Sequence, residues 1–236
     1  MRPAQGEVPH KRAAKTLKIA KAAAKLFNRK GYLETNMDDI GVAAKMSKGG
    51  IYHYFKSKDE ILFFVLDNYM DIILEGLEPA LEKIEESSAK IQYIISRHIR
   101  LYTTYTAESK TLLHEAYCLP WKYRKTIAAK ERRYYEIVAS VLRDFFGPES
   151  AQGKPHITVM SFLLFGMCNW IYAWYNPKGP VGAEQLSETI WTVFLKGARE
   201  LKVSKVREQT LVNTLQSEEG RNEGERNAAF HGVETS

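Results

Sequence analysis

Cysteine is scarce in this chain. Only Cys118 and Cys168 occur in 236 residues, each in apolar surroundings. That excludes a disulfide framework as the source of stability, and no C-x-x-C metal or redox pair exists. A reducing compartment, the cytoplasm, is the expected setting. The six histidines (His10, His53, His98, His114, His156 and His231) form no H-x-x-x-H or H-E-x-x-H pair, so no metal site is expected. There is no G-x-G-x-x-G, no phosphate-binding P-loop and no internal repeat, and hence no sign of a cofactor. No Ser/His/Asp or Cys/His spacing suited to nucleophilic catalysis is readable, which argues against an enzyme. The amino-terminal segment is polar and basic, without the apolar run of a secretory signal. Strand-type alternation never persists, and helical periodicity dominates.

Acidic residues are scarce in one place. Residues 1–58 hold 13 basic and 4 acidic side chains, a net of +9; residues 59–236 hold 21 and 24, a net of −3. The total of +6 therefore divides into a basic quarter suited to a polyanion and a faintly acidic remainder with another task. Apolar residues make up 44%, enough for a sizeable core. One stretch, Ile157 to Tyr175, runs nineteen residues without a charge. That meets the length of a membrane span, about 17–20 residues. No one-sided basic flank accompanies it, so a helix covered by a core on one side and a partner on the other is the preferred reading.

The pattern predicts an all-α chain. A basic arm over 1–14 is expected to be disordered, followed by a helix from about Thr16 to Lys30, with Leu17, Ala20, Ala24 and Phe27 on one face. Gly31 stops it. Thr35-x-x-Asp38 reads as a capping box for a short second helix, Ser47 as the cap of a third, and Ser57-x-x-Glu60 as the box of a long fourth. The second and third form a helix-turn-helix. Longer helices follow near 82–105, 108–117, 121–146, 155–175 and 183–202. The predicted organisation is an arm (1–14), a three-helix helix-turn-helix domain (15–60), a helical ligand-binding and dimerisation domain (61–204) and a disordered tail (205–236), where apolar residues thin out.

The third helix carries the chemistry. Ile51 and Phe55 point inward, leaving Lys48, Gly49, Tyr52 and His53 outside near a helix start, where free N–H groups attract phosphate. Two adjacent glycines in a short helix cost roughly 1 kcal/mol each against alanine. Close approach to a groove floor would offset that, although a tight turn alone would also use them. Lys58 sits in the first turn of the fourth helix, against the helix dipole, and a phosphate partner would explain it.

The stretch S-K-G-G-I-Y-H-Y-F-K-S-K-D-E-I-L, with the preceding K-G-Y-x-x-T and M-D-D-I, resembles the DNA-binding signature of the TetR family of bacterial one-component repressors. The resemblance covers about residues 16–62. It implies that the third helix enters the major groove. Thr35 and Lys58 become phosphate anchors. Ser47, Tyr52 and His53 lie on the backbone, Lys48 and Gly49 approach base edges with Gly50 beside them, and Tyr54 divides between packing and contact. The sequence departs at Gly41, where the family usually has alanine, and at Lys45, where it often has glycine.

The family uses its variable carboxy-terminal helices to dimerise and to bind an inducer. The uncharged helix and the last helix, with Leu186, Ile190, Val193, Phe194 and Leu195, form the expected C2 homodimer interface. Tyr102, Tyr105, Trp121, Phe162, Trp170 and Trp174 are the candidate ligand contacts, with Arg97, Arg100, Lys122, Arg124, Lys125, Arg132 and Arg133 as a possible phosphate-holding set. The ending N-W-I-Y-A-W-Y-N-P-K-G-P resembles TetR-type regulators of fatty-acid and sterol catabolism, which implies release from operator DNA by an acyl-CoA thioester. Two other readings stay open at this point, a membrane-associated regulator and a DNA-binding protein without a ligand.

Overall fold

The computed structural model describes residues 9–147 and 156–203; the arm over 1–8 and the tail over 205–236 lie outside the described residues. Among them every regular element is helical: α1 (Pro9–Lys30), α2 (Met37–Ala44), α3 (Lys48–Tyr52), α4 (Lys58–Leu74), α5 (Leu77–Glu82), α6 (Ser87–Thr104), α7 (Thr106–Glu115), α8 (Trp121–Phe146), α9 (Ile157–Asn169), α10 (Ile171–Trp174) and α11 (Ala183–Val203). A short 3-10 turn, Ala116–Cys118, joins α7 to α8.

Helix α1 is described from Pro9 onward, so residues 9–14 of the expected arm are helical. Its inward face is Ile19, Ala20, Ala23, Ala24, Leu26 and Phe27. Leu17, expected on that face, is 39% exposed, because the chain buries α1 only from Ile19 onward. The cap of α2 is one residue later than the sequence implied. The Asn36 side chain accepts from the Asp39 N–H (2.8 Å) and Asp39 accepts from the Asn36 N–H (2.9 Å). Ser47 caps α3 by accepting from the Gly50 N–H (3.1 Å). Ser57 caps α4 by accepting from Glu60 (3.2 Å), while the Glu60 carboxylate accepts from Lys56 rather than Ser57.

Two apolar clusters form the interior. The first joins α1, α2, α3 and the whole inner face of α4 (Ile61, Leu62, Val65, Leu66, Tyr69, Met70, Ile73) to Ala116, Leu119 and Ile127. The expected domain boundary at residue 60 thus falls inside α4, whose length belongs to the head's core, and α7 packs directly on α1. The second cluster joins α5 and α6 to the carboxy-terminal half of α8 and to α9, α10 and α11.

The uncharged segment is two helices broken at Trp170. Ile157, Met160, Ser161, Leu164, Cys168 and Ile171 are buried against α6, α8 and α11. On the opposite face Val159, Phe162, Leu163, Trp170 and Trp174 are all more than half exposed, and Val193 of α11 likewise. Ile157–Trp174 is long and apolar enough to cross a membrane by length and composition, and 33% of it is buried within the chain. A core helix passes the same test. Here one face has the core the sequence predicted, and the other is bare.

Candidate functional site: recognition head and ligand cavity

The turn between α2 and α3 sets the head's geometry. Lys45 adopts the left-handed conformation (φ 54°, ψ 50°), a cost of about 1–2 kcal/mol for a residue with a Cβ. Its N–H donates to the Val42 carbonyl (3.1 Å) and that of Met46 to Gly41 (2.9 Å), closing α2. Gly41 sits in a tight space. A Cβ there would stand 3.1 Å from the Met46 carbonyl oxygen and 3.8 Å from Ile51. The two departures from the family pattern are therefore one arrangement, a tight turn made by a glycine before it and a strained lysine within it.

The paired glycines of α3 differ. A Cβ on Gly50 would meet Ser47 Oγ at 3.2 Å and Met46 Cε at 3.5 Å, so internal packing accounts for it. A Cβ on Gly49 would meet nothing within 4 Å. Packing among the described residues does not account for a glycine there.

Around Gly49 the exposed groups are Ser47, Lys48, Tyr52 and His53. Lys48 pairs with Asp38 at 3.1 Å, and that carboxylate raises the lysine's pKa. Tyr54 is half-buried, edge-on to His53 (5.0 Å between centroids) and beneath Lys15 (5.9 Å).

Two expected anchors are corrected. Thr35 is buried, and its hydroxyl donates to the Gly31 carbonyl (2.8 Å), so it closes the α1–α2 connection and offers no surface to a phosphate. Lys58 is turned inward. Its ammonium donates to the carbonyls of Tyr32 (2.8 Å) and Leu33 (3.2 Å) and lies 4.2 Å from the Tyr32 ring centroid. Those acceptors, not a phosphate, explain a cation at the start of α4. The Tyr32 hydroxyl donates in turn to Asp59, and burial with that carboxylate pushes the phenol's pKa up.

A cavity of about 720 Å³ lies between α4, α6, α7, α8 and α9. Tyr69, Met70 and Ile73 of α4 form one wall; His98 and Tyr102 of α6, Tyr134 of α8 and Phe165 and Asn169 of α9 form others. Leu113, Tyr117, Arg132, Glu136 and Phe162 line it and are exposed, so they mark its opening.

One polar chain crosses this largely apolar space. The His98 Nδ1 is 3.0 Å from the Tyr134 hydroxyl and its Nε2 is 2.9 Å from Asn169 Oδ1. An amide oxygen only accepts, so Nε2 carries the hydrogen and Nδ1 accepts from Tyr134. Burial pushes the imidazole down to about 4, leaving it neutral at pH 7. On α4, Tyr69 bonds Ser109, and burial pushes its phenol up to about 12.

Of the six candidate ligand contacts, Tyr102 and Phe162 line the cavity. The other four do not. Tyr105 packs beside Tyr69 in the head's cluster (6.0 Å). Trp121 is 78% exposed, and Trp170 and Trp174 stand on the bare face, opposite the buried stripe of α9 and α10. Of the basic set, Arg124 and Arg132 line the cavity, and three members have partners within the chain. Arg97 donates to the carbonyls of Ile72 (3.1 Å), Ile73 (3.3 Å) and Glu75 (2.6 Å), Arg133 pairs with Glu78 (2.6 Å) and Arg124 with Glu131 (2.7 Å). Arg124 therefore stands at the cavity as an ion pair with Glu131, and Arg132 is exposed at the opening. His98, Tyr134 and Asn169 were missed, although a lone histidine on the apolar stripe Ile91, Ile95, Tyr102 was a readable signal.

Comparison with known proteins matches this division. Residues 19–64 match the family described as bacterial regulatory proteins, tetR family, and residues 85–198 the tetracyclin repressor-like C-terminal domain. A TetR-family transcriptional regulator from Bordetella parapertussis is 31% identical, with 80% of this chain and 95% of that one covered and a TM-score of 0.72. The HTH-type transcriptional repressor KstR2 of Mycolicibacterium smegmatis is 25% identical over 81% of this chain and 94% of its own length. AibR, solved with isovaleryl coenzyme A and operator DNA, is 28% identical, with 76% and 97% covered and a TM-score of 0.66. A helix-turn-helix head on a cavity-bearing helical body is the plan of DNA-binding transcription factors, not of enzymes, and the chain belongs to the TetR family of transcriptional regulators.

Proposed function

We propose that this regulator acts in the cytoplasm as a repressor, binding a palindromic operator as a C2 dimer and released when an acyl-CoA thioester fills the cavity. The observation that carries the reading is that α4, the helix that follows the recognition helix, is itself a cavity wall. A cavity of about 720 Å³ is within the 300–1,000 Å³ of ordinary small-molecule sites, and its apolar lining with a few fixed polar groups suits an acyl chain and a thioester arm. The neutral His98–Tyr134–Asn169 chain supplies the hydrogen-bonding groups. Arg132 at the opening suits the phosphates of a nucleotide that stays outside. AibR, crystallised with isovaleryl coenzyme A and operator DNA, supports this ligand class. A DNA-binding protein without a ligand would have no use for such a space.

The dimer reading rests on the bare apolar face. Val159, Phe162, Leu163, Trp170 and Trp174, together with Val193, need cover. A two-fold pairing of α9 with α11 buries each patch against its copy, and the same pairing accounts for the uncharged run without a membrane.

Ser47, Lys48, Gly49, Tyr52, His53 and Tyr54 form the groove-facing set, with Gly50 packed behind them. Helix α4 has 17 residues, so it is roughly 25 Å long at 1.5 Å per residue. Pressure on Tyr69, Met70 and Ile73 tilts it about a point fixed by Arg97 at its carboxy-terminal end and by Lys130, which pairs with Asp67 (2.5 Å) and Asp71 (2.6 Å). A tilt of only ~5° moves the far end of a rod that long by ~2 Å. Two recognition helices must sit about one DNA turn apart, so a ligand that prefers the tilted state depletes the binding state. Calorimetry of the protein against a panel of CoA thioesters and the matching free acids tests the ligand class. Binding that requires the CoA moiety is expected, and binding indifferent to it would overturn the proposal.

A further inference from the structure

We propose that Asn169 is the specificity-determining residue of the cavity: its side-chain NH2 group donates to a neutral carbonyl oxygen of the ligand, while Tyr134 and His98 are positioning residues that fix the direction of that amide. The inference rests on the ligand reading above and narrows it from a class of molecule to one atom.

The direction follows from the order of donors across three helices. Among the described residues the Tyr134 hydroxyl has one hydrogen-bonding neighbour, His98 Nδ1 at 3.0 Å. Burial raises the phenol's pKa, so the hydroxyl keeps its hydrogen and gives it to Nδ1. A neutral imidazole carries one hydrogen. Here it sits on Nε2 and points at Asn169 Oδ1, 2.9 Å away. Oδ1 is thereby the occupied end of the amide, and Nδ2, with two hydrogens, is the end left over. Nδ2 has no hydrogen-bond partner among the described residues. Asn169 is half-buried and lines the cavity, so these hydrogens are offered to what binds there. The other hydroxyl side chains of α9 are already satisfied. Ser161 donates to the Ile157 carbonyl (2.8 Å), and Thr158 bonds the Tyr135 hydroxyl (3.2 Å). An unpaired donor in an apolar wall costs free energy, and a ligand acceptor offsets that cost.

Charge and depth decide which acceptor fits. The cations that line the cavity are Arg124, paired with Glu131 at 2.7 Å, and Arg132, exposed at the opening. His98 is neutral at pH 7, because burial pushes its pKa down to about 4. A carboxylate brought to Asn169 would be an enclosed charge without a counter-charge. A carbonyl oxygen needs only the donor. Asn169 follows Phe162, which marks the opening, by seven residues of α9, about 10 Å along the helix axis. The carbonyl is therefore read well inside, and charged parts of the ligand stay at the mouth. This geometry selects a thioester or ketone carbonyl on an apolar skeleton over the corresponding free acid.

The test uses the full chain and pairs of ligands that differ only at the carbonyl. Straight-chain acyl-CoA thioesters from butanoyl to hexadecanoyl are titrated by calorimetry. The one that binds tightest is compared with its S-alkyl-CoA thioether, in which a methylene replaces the carbonyl. The same pair built on N-acetylcysteamine, which lacks the nucleotide, is measured alongside. Wild type is expected to prefer thioester to thioether by about 5- to 150-fold in both pairs, the factor that an unpaired buried donor costs. Asn169→Leu should bring the preference close to one and keep the affinity for the thioether. Tyr134→Phe, which keeps the ring and removes the hydroxyl that orients His98, should lower the preference as well. Thermal unfolding checks both variants, and the wild-type comparison needs neither. The infrared stretch of a carbon-13-labelled thioester carbonyl should fall on binding wild type and not on binding Asn169→Leu, a change that altered packing alone does not produce. Equal affinity of wild type for thioester and thioether would overturn the assignment while leaving the CoA reading in place, as would a preference that survives Asn169→Leu. Discrimination within the N-acetylcysteamine pair, with no binding of either CoA compound, would support Asn169 and count against the CoA reading. Failure of all four compounds to bind would overturn both.

Discussion

Replacing Gly49 with alanine separates folding from DNA recognition. A methyl group at this position meets no atom within 4 Å, so the folded chain accepts it without repacking. Glycine in a helix is worth about 0.5–1 kcal/mol less than alanine. Gly49 is the second residue of a five-residue helix, which puts the gain near the lower figure. For a chain of this size about 1 kcal/mol corresponds to roughly 2–4 °C, so the melting temperature should rise by about 1–2 °C. On DNA the same methyl occupies the space that the groove floor needs. Loss of one well-made base contact costs about 1–3 kcal/mol, or roughly 5- to 150-fold in affinity per half-site. Gly50→Ala is the internal control. Its methyl presses on Ser47 Oγ at 3.2 Å and disturbs a cap worth about 1 kcal/mol, so no thermal gain is expected. Differential scanning calorimetry and fluorescence anisotropy on the operator duplex give the two readouts. A Gly49→Ala protein that is more stable and binds operator like wild type would refute the assignment of Gly49 to the groove.

Lys45→Gly removes left-handed strain at φ 54° and should stabilise the chain by about 0.5–1 kcal/mol, less than the full strain because glycine also gains freedom when unfolded; urea denaturation reads it. Lys58→Met should destabilise by about 1–2 kcal/mol through loss of the charged hydrogen bonds to Tyr32 and Leu33. Its operator salt slope should match wild type, whereas a shallower slope would restore Lys58 to the phosphate set. His98 has a folded pKa lowered from 6.5 to about 4. Between those values the unfolded chain holds the extra proton, so stability is full above about pH 6.5 and falls as the pH drops to about 4, by at most about 3 kcal/mol. Urea midpoints across that range should fall less in His98→Gln than in wild type.

The head was legible because its signals are local. Ser47, Ser57, Gly31 and the inward pair Ile51 and Phe55 each act within one helical turn, and the structure places them as their spacing implies. What misled was a side chain whose partner lies far along the chain. Lys58 looks unpaired in sequence, and its acceptors are 26 and 25 residues away. Thr35 looks like a cap, yet Asn36 takes that role once the Gly31 carbonyl claims the threonine hydroxyl. The cavity was harder to read, because composition identifies aromatic residues and does not say which face they occupy. Trp170 and Trp174 fall on the bare face by helical phase. A polar residue within an apolar stripe was the better guide: His98 on α6 and Asn169 in the uncharged run meet across 71 positions of sequence.

The central claim is that the cavity and the recognition helices share one equilibrium, and linkage offers the most direct measurement of it. Operator affinity is measured with and without a saturating acyl-CoA thioester, and thioester affinity with and without saturating operator. The account predicts that each ligand weakens the other by the same factor, about 5- to 150-fold or more. Operator affinity left unchanged by a thioester that demonstrably binds the protein would contradict it.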